Sequence, residues 1–393
     1  MQYQTPNKFE PSRHAALDAL AKVDPTLYSR TRNFLDGAVT GLSPWITHGY
    51  LSVREATQVL MEKYRLSFED KLIFEFAWRE FFKHAHAELG NGILSDVRRP
   101  VWSGRYNQQL PDDIREGRTG VEAIDAGVAL LYETGYLHNH VRMWIASYVV
   151  HMRKVHWKVG ADWMYTHLLD GDLASNHLSW QWVAGTFSHK PYVFNADNVK
   201  KYAQKWDCSD TAIDTDYEDL ESIARSKRDV GRERNAPPVG VAEPTSHRFD
   251  LELLSDTLKR KTVDLRQQAG VDSCSALMSN FKKINLVHPW DLKACFDLTQ
   301  NGELRVGLID CAFHKAHPWN KQRWDFVLNA METGCDQIWV VNTDDIGHCT
   351  SMLASFIKTG AEFELRETLN SGYLMMGRCF PVRWALEDKL LPN

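Results

Sequence analysis

Asp170-Gly171-Asp172-Leu173-Ala174-Ser175-Asn176-His177-Leu178-Ser179-Trp180-Gln181-Trp182 sets two carboxylates in a tight turn, followed by an amide and two tryptophans at helical spacing. Asp172 is suited to cap a helix, because its carboxylate can accept from the free amides of the first turn. Asn176 and Trp180 then fall four residues apart on one face, Trp182 points elsewhere, and Gly185 supplies a stop. One face can serve a cofactor and the other a ligand. An Asp-Gly-Asp turn with packed tryptophans can also be purely structural, so the stretch alone leaves both readings open.

Working outward, apolar residues recur at helical spacing from about 12 to 205, as in Leu72 to Phe82 and Tyr136 to Val150, with no convincing alternating strand. Residues 1–205 therefore read as a helical domain. Residues 206–283 read as a charged linker, a mobile or surface-draped connector rich in turn formers around Ser226 to Ser246, with a helical segment near 250–283. Beyond it short apolar runs alternate with helical ones: Ile284–Val287, Leu304–Ile309, a helix over Lys321–Met331, Gln337–Val341 and a helix from Ser351. This rhythm predicts an α/β domain with a parallel sheet over 284–393. It contains neither GxGxxG nor a P-loop, so a nucleotide-type fold without a ligand stands equally beside a ligand-binding one.

The chain has 393 residues, 44% hydrophobic and 25% charged, enough for two domains with sizeable cores. Seven cysteines (Cys208, Cys274, Cys295, Cys311, Cys335, Cys349, Cys379) are scattered without CxxC spacing, which argues against zinc, an iron-sulfur cluster or a disulfide framework. Met1 to Leu20 lacks the apolar core of a signal peptide, and no run reaches membrane-spanning length, so a cytosolic (cytoplasmic) protein without membrane contact is expected. Residues 1–205 carry 24 Lys+Arg against 22 Asp+Glu and 206–393 carry 22 against 29. A nucleic acid would bind the first half, through a local basic patch rather than a net excess. His84 with His86, and His138 with His140, are two apart on a helix and diverge, so no metal site is expected.

Read together, Tyr28-Ser29-Arg30-Thr31-Arg32-Asn33-Phe34, Thr40-Gly41-Leu42-Ser43-Pro44, Trp78-Arg79-Glu80-Phe81-Phe82, Gly117-Arg118-Thr119-Gly120, His138 to Met143 and the opening run resemble, in order, the flavin-binding domain of the DNA photolyase and cryptochrome family. The fold implied is an α-helical FAD-binding domain plus a C-terminal α/β parallel-sheet domain. Family members begin with an α/β antenna domain, so a circularly permuted order is expected here, with unrelated fusion as the competing account. The resemblance implies FAD as cofactor, held by Tyr28, Thr40, Gly41, Leu42, Ser43, Arg79, Arg142, Asp170, Asp172 and Asn176. Arg142 and Asp170 would be the ion pair beside the isoalloxazine, and Asn176 the amide facing flavin N5. The second, antenna chromophore is left unknown.

The resemblance further implies that Trp180 and Trp157 belong to an electron-transfer chain, with Trp102 or Tyr106 as third member. Trp78 and Trp182 would be the aromatic walls for a flipped pyrimidine dimer. Glu75 would bond a base edge, and Asn139 and Met143 would floor the pocket; these are the catalytic set. DNA contacts would come from Arg32, Trp78, Asn139, His140 and Trp182, where His140 replaces an arginine of the relatives. The implied function is light-driven repair of cyclobutane pyrimidine dimers, by a deoxyribodipyrimidine photolyase-type lyase acting as a monomer on single- or double-stranded DNA. Altered residues at His140 and 194–199 point to single strands. The alternatives are a cryptochrome-like photoreceptor without repair activity and a flavin-free DNA-binding scaffold.

Overall fold

The computed structural model describes residues 9–267, 283–296, 303–342 and 362–364. They form two compact units that do not follow chain order. One comprises chiefly Ala21–Gly41 and Leu60–Thr245, and the other Glu10–Leu20, Leu42–Val59 and the described residues from Ser246 onward.

The first unit is helical. Its central elements are α1 (Lys71–Leu89), α2 (Glu122–Thr134), α3 (Asn139–Ser147), α4 (Trp157–His167) and α5 (Leu173–Ala184). α5 begins as its sequence dictates: the Asp172 carboxylate accepts from the Ser175 amide at 2.8 Å, and Gly185 ends the helix at φ 78°. It packs against α4, α3 and α1. α3 continues into a π-helical turn, Tyr148–Met152, whose residues are all buried. The core runs through Trp144, Ile145, Trp157, Met164, Trp180 and Phe194.

The charged connector is draped rather than loose. Glu243 accepts from Arg115 and lies 2.9 Å from His167 Nε2, and the Val241 amide donates to Glu116 O at 2.7 Å. Lys154 Nζ, itself buried, donates to Ile223 O at 2.6 Å. Charges that look like a solvated linker in sequence are spent as ion pairs and caps on the helical unit.

Among the described residues of the second unit, five strands form one parallel sheet: β1 (Thr262–Asp264), β2 (Lys283–Val287), β3 (Glu303–Asp310), β4 (Gln337–Val341) and β5 (Glu362–Glu364), in the order β1-β4-β3-β2-β5. β3 is central and buried along most of its length, as a strand covered on both faces must be. The helix that precedes β4 spans Lys321–Gly334, three residues beyond the expected end at Met331. Of the helical segment expected near 250–283, the described residues show a 3-10 turn at Leu251–Leu253 and a helix at Asp256–Lys261, after which the chain enters β1. Thr262 and Val263 are β-branched, and the β4 edge offers them a parallel ladder, which outweighs weak helical periodicity. Residues 268–282 of that segment, and the helix expected from Ser351, lie outside the described residues.

Buried histidines give the fold a pH signature. His151 is fully buried and His138 nearly so, and burial holds each at about 4. Unfolded, both return to about 6.5. The unfolded chain then binds more protons between those values, so stability is full above about pH 6.5 and falls toward pH 4. Denaturant midpoints measured at pH 7.5 and pH 5 should drop on acidification; a constant midpoint would contradict the neutral, buried assignment.

Candidate functional site: a buried charge cluster between helices

α1 presents one stripe inward, in which Arg79, Lys83 and His86 recur at helical spacing. Lys83 is only 4% exposed. Burial, and then repulsion from Arg79, lowers its pKa to about 8. Its counter-charges are Glu80, whose Oε1 lies 3.4 Å from Nζ, and Asp172, which is almost wholly buried. Burial alone would raise that pKa; Arg79, Lys83 and the Ser175 cap together bring it below the usual range. Asp172 thus caps α5 and anchors a cationic stripe on α1.

The second charged element is the pair Arg142–Asp170. The Nη2 of Arg142 donates to both carboxylate oxygens, at 3.1 and 2.8 Å, while Nε donates to Leu137 O at 2.9 Å. The Asp170 side chain is almost wholly buried and that of Arg142 about a quarter exposed. Asn176, half-buried on α5, donates from Nδ2 to Ala161 O at 2.9 Å.

A third group lies near the start of α3. Glu75 is shared by Arg32 at 3.1 Å and Lys71 at 2.8 Å. Tyr28 stands beside Arg32, and burial followed by the Glu75 charge pushes its hydroxyl up to about 12. Asn139 donates from Nδ2 to Met143 Sδ at 3.3 Å. His140 is turned inward: its Nδ1 lies 2.6 Å from Asn33 O, and its ring stacks on Trp144 with 9° between planes. Of the loop residues, Thr40 and Gly41 (φ 63°) belong to the helical unit, and Leu42 and Ser43 to the other.

Aromatic side chains divide by exposure. Trp78 and Trp182 are each 39% exposed, whereas Trp157 and Trp180 are 3% and 2%. Trp78 continues into a ladder with Phe74, Phe81 and Phe82, and both of the last two reach Phe187 at 6.2 Å between ring centres. Trp182 lies against Tyr192. A chain of rings runs from Trp157 through His156 (5.6 Å) and Tyr106 (6.3 Å) to Trp102 (5.0 Å), so Trp102 and Tyr106 sit together.

Gly160 on α4 is required by Trp180. A Cβ built there would lie 2.4 Å from the indole ring. Gly160→Ala is expected to cost about 1–3 kcal/mol through overpacking, read as a shift of the denaturant midpoint; an unchanged midpoint would mean that the ring has room to move.

Sequence reasoning missed Lys83 and weighed His86 only as a metal ligand, although both continue the Arg79 stripe at i+4 and i+7. It also missed Gln181, the residue between the two tryptophans, because a glutamine in an aromatic run carries no motif.

The donor set suits a flavin nucleotide. Three cations, Arg79, Lys83 and Arg142, meet three carboxylates, Glu80, Asp170 and Asp172, so the cluster is charge-balanced and offers both donors and acceptors to a polar ligand. His86 Nδ1 is buried with no hydrogen-bond partner among the described residues.

Residues 72–227 match the family model for the FAD binding domain of DNA photolyase. A cryptochrome DASH of Oryza sativa is 32% identical over 210 residues, 51% of this chain and 36% of that protein. A deoxyribodipyrimidine photo-lyase of Synechococcus is 31% identical over 211 residues, 50% of this chain and 41% of that one. This chain thus spans well under half the length of these curated relatives. Among solved structures, the cryptochrome of Synechocystis aligns with TM-score 0.44 at 27% identity, covering 49% of this chain and 43% of that one. The archaeal photolyase of Sulfolobus tokodaii, solved with two FAD molecules, aligns with TM-score 0.44 at 27% identity over 57% and 53%. Over residues 72–227 the helical part of this protein is thus similar to the FAD binding domain of DNA photolyase.

Proposed function

We propose that the protein repairs cyclobutane pyrimidine dimers in DNA under blue light, with single strands favoured. The observation that carries this reading is the pair of large indoles, Trp78 and Trp182, left more than a third exposed in a unit that buries Trp144, Trp157, Trp163 and Trp180 and half-buries Trp102 and Trp206. Exposed aromatic faces suit bases taken out of the stack. Reduced FAD would supply the electron that splits the dimer, and no metal or general acid is needed. The protein's own part is positional. Trp78 and Trp182 stack the flipped bases, Glu75, steadied by Arg32 and Lys71, accepts from a base edge, and Asn139 with Met143 floors the pocket. Arg142 and Asp170 flank the isoalloxazine, Asn176 faces its N5, and Arg79, Lys83 and Asp172 balance charge around it. Thr40 and Gly41 serve the phosphates, and Tyr28 closes the cofactor side. Trp180, Trp157 and the Trp102–Tyr106 pair pass electrons inward.

Two features support the single-strand preference. His140 is engaged by Asn33 and Trp144 rather than pointing outward, which removes one phosphate contact. The Phe81–Phe82–Phe187 ladder extends the Trp78 wall with faces for unpaired bases. Dimer turnover on matched single-stranded and duplex oligonucleotides tests it: faster repair of the single strand is expected, and equal rates would reject it. We read the chain as a circular permutation of the photolyase domain order, acting as a monomer in the cytosol. The second reading, a photoreceptor without repair, is favoured by the cryptochrome DASH relatives, and requires flavin but not Glu75, Trp78 or Trp182.

A further inference from the structure

We infer that Asp96 is the proton acceptor of Trp157 during electron transfer through the tryptophan chain, an inference that rests on reading Trp180 and Trp157 as that chain. The Nε1–H of Trp157 donates to Asp96 Oδ1 at 2.6 Å, a short, charge-assisted hydrogen bond. The indole is 3% exposed, so its N–H has no direct route to water. The Asp96 side chain is 31% exposed and does reach solvent. The nearest other titratable ring, His156, has its Nε2 3.7 Å from the same oxygen.

The geometry is held from α5. Gln181 is fully buried between Trp180 and Trp182, and its amide clamps the loop that carries Asp96. Oε1 accepts from the Val97 amide at 3.0 Å, and Nε2 donates to Ile93 O at 2.9 Å and Ser95 O at 3.1 Å. The Arg98 amide adds a bond to Thr186 O at 2.7 Å. The helix that presents Trp180 therefore also fixes the carboxylate on Trp157.

The chemistry balances as follows. Trp180, having lost one electron to photoexcited oxidised FAD, regains it from Trp157, which becomes an indole radical cation whose N–H is far more acidic than that of the parent. The N–H bond breaks, its proton bonds to Asp96 Oδ1, and a neutral tryptophanyl radical is left beside a carboxylic acid. The proton then exchanges with water through the exposed side of Asp96. Return of the electron now requires return of the proton, so the charge-separated state lasts longer. A carboxylate in reach of the reacting proton is the first requirement for such a role. An ordinary structural bond would only pin the ring, and Asn at position 96 would pin it equally well.

Transient absorption and electron paramagnetic resonance on the FAD-loaded protein, without added reductant, test this. The wild type should form the neutral tryptophanyl radical, more slowly in D2O. Asp96→Asn, with FAD content and melting checked, should show the radical cation instead, recombining several-fold faster, and Asp96→Glu should restore the neutral radical. An Asp96→Asn protein with wild-type spectra and lifetimes overturns the assignment, as does a wild type that shows only the cation and no solvent isotope effect. Trp157→Phe separates the two levels: an undiminished tryptophan radical in that variant rejects the chain itself, not merely the role of Asp96.

Discussion

Trp78→Ala should abolish dimer turnover while leaving FAD content unchanged. The ring is 39% exposed and makes its contacts with other surface aromatics of α1, so its removal opens no sealed cavity and the fold should lose no more than about 1 kcal/mol. At the lesion, however, it would supply one of two stacking faces, worth ~1–3 kcal/mol per base. Dimer affinity should fall roughly ten- to a hundredfold, and the bound lesion would no longer be held in register for electron transfer. Repair assays under saturating light, with FAD quantified by absorbance, check it. Wild-type repair would remove Trp78 from the lesion pocket, and loss of FAD would mean that the α1 face is cofactor-bearing instead.

The second large effect is expected at the buried ion pair. Arg142→Met leaves the Asp170 carboxylate, whose side chain is 3% exposed, without its bidentate partner. Breaking a buried pair in this way costs about 3–5 kcal/mol, because a buried carboxylate loses its guanidinium counter-charge. FAD should be lost at the same time. The double variant Arg142→Met with Asp170→Leu removes both charges, and should regain much of the stability without regaining the flavin. Urea denaturation and FAD stoichiometry on the two variants distinguish these roles. A double variant that binds FAD normally would make the pair a packing device only.

How far the sequence foretold this molecule differs element by element. α5 was legible because cap, spacing and stop agree: Asp172 caps it and Gly185 ends it. The runs at Lys283–Val287, Glu303–Asp310 and Gln337–Val341 were legible because short, largely apolar stretches of strand length alternate with helical ones. β1 was not, since three residues carry too little pattern, and its ladder partner lies more than 70 residues away. The connector's docking was hidden for a similar reason. Glu243 and Arg115 carry no mutual signal across 128 positions, and only the folded unit brings them together.

In the site, spacing on a single helix was readable and encounters between helices were not. Asn139 with Met143 follows from i,i+4 geometry. The encounter of Lys83 and Arg79 with Asp172 needs α1 to lie along α5, which no local pattern announces. Asp96 escaped notice because a lone aspartate in a loop has no motif, and its meaning comes from the indole it faces.

The most direct measurement is repair of a thymine-dimer oligonucleotide by the purified, chemically reduced protein, under blue light and in darkness, with bound FAD confirmed by absorbance. The account predicts dimer loss in the light alone, in proportion to bound FAD. Bound FAD with no repair of either single-stranded or duplex substrate would contradict it and assign the flavin to light sensing.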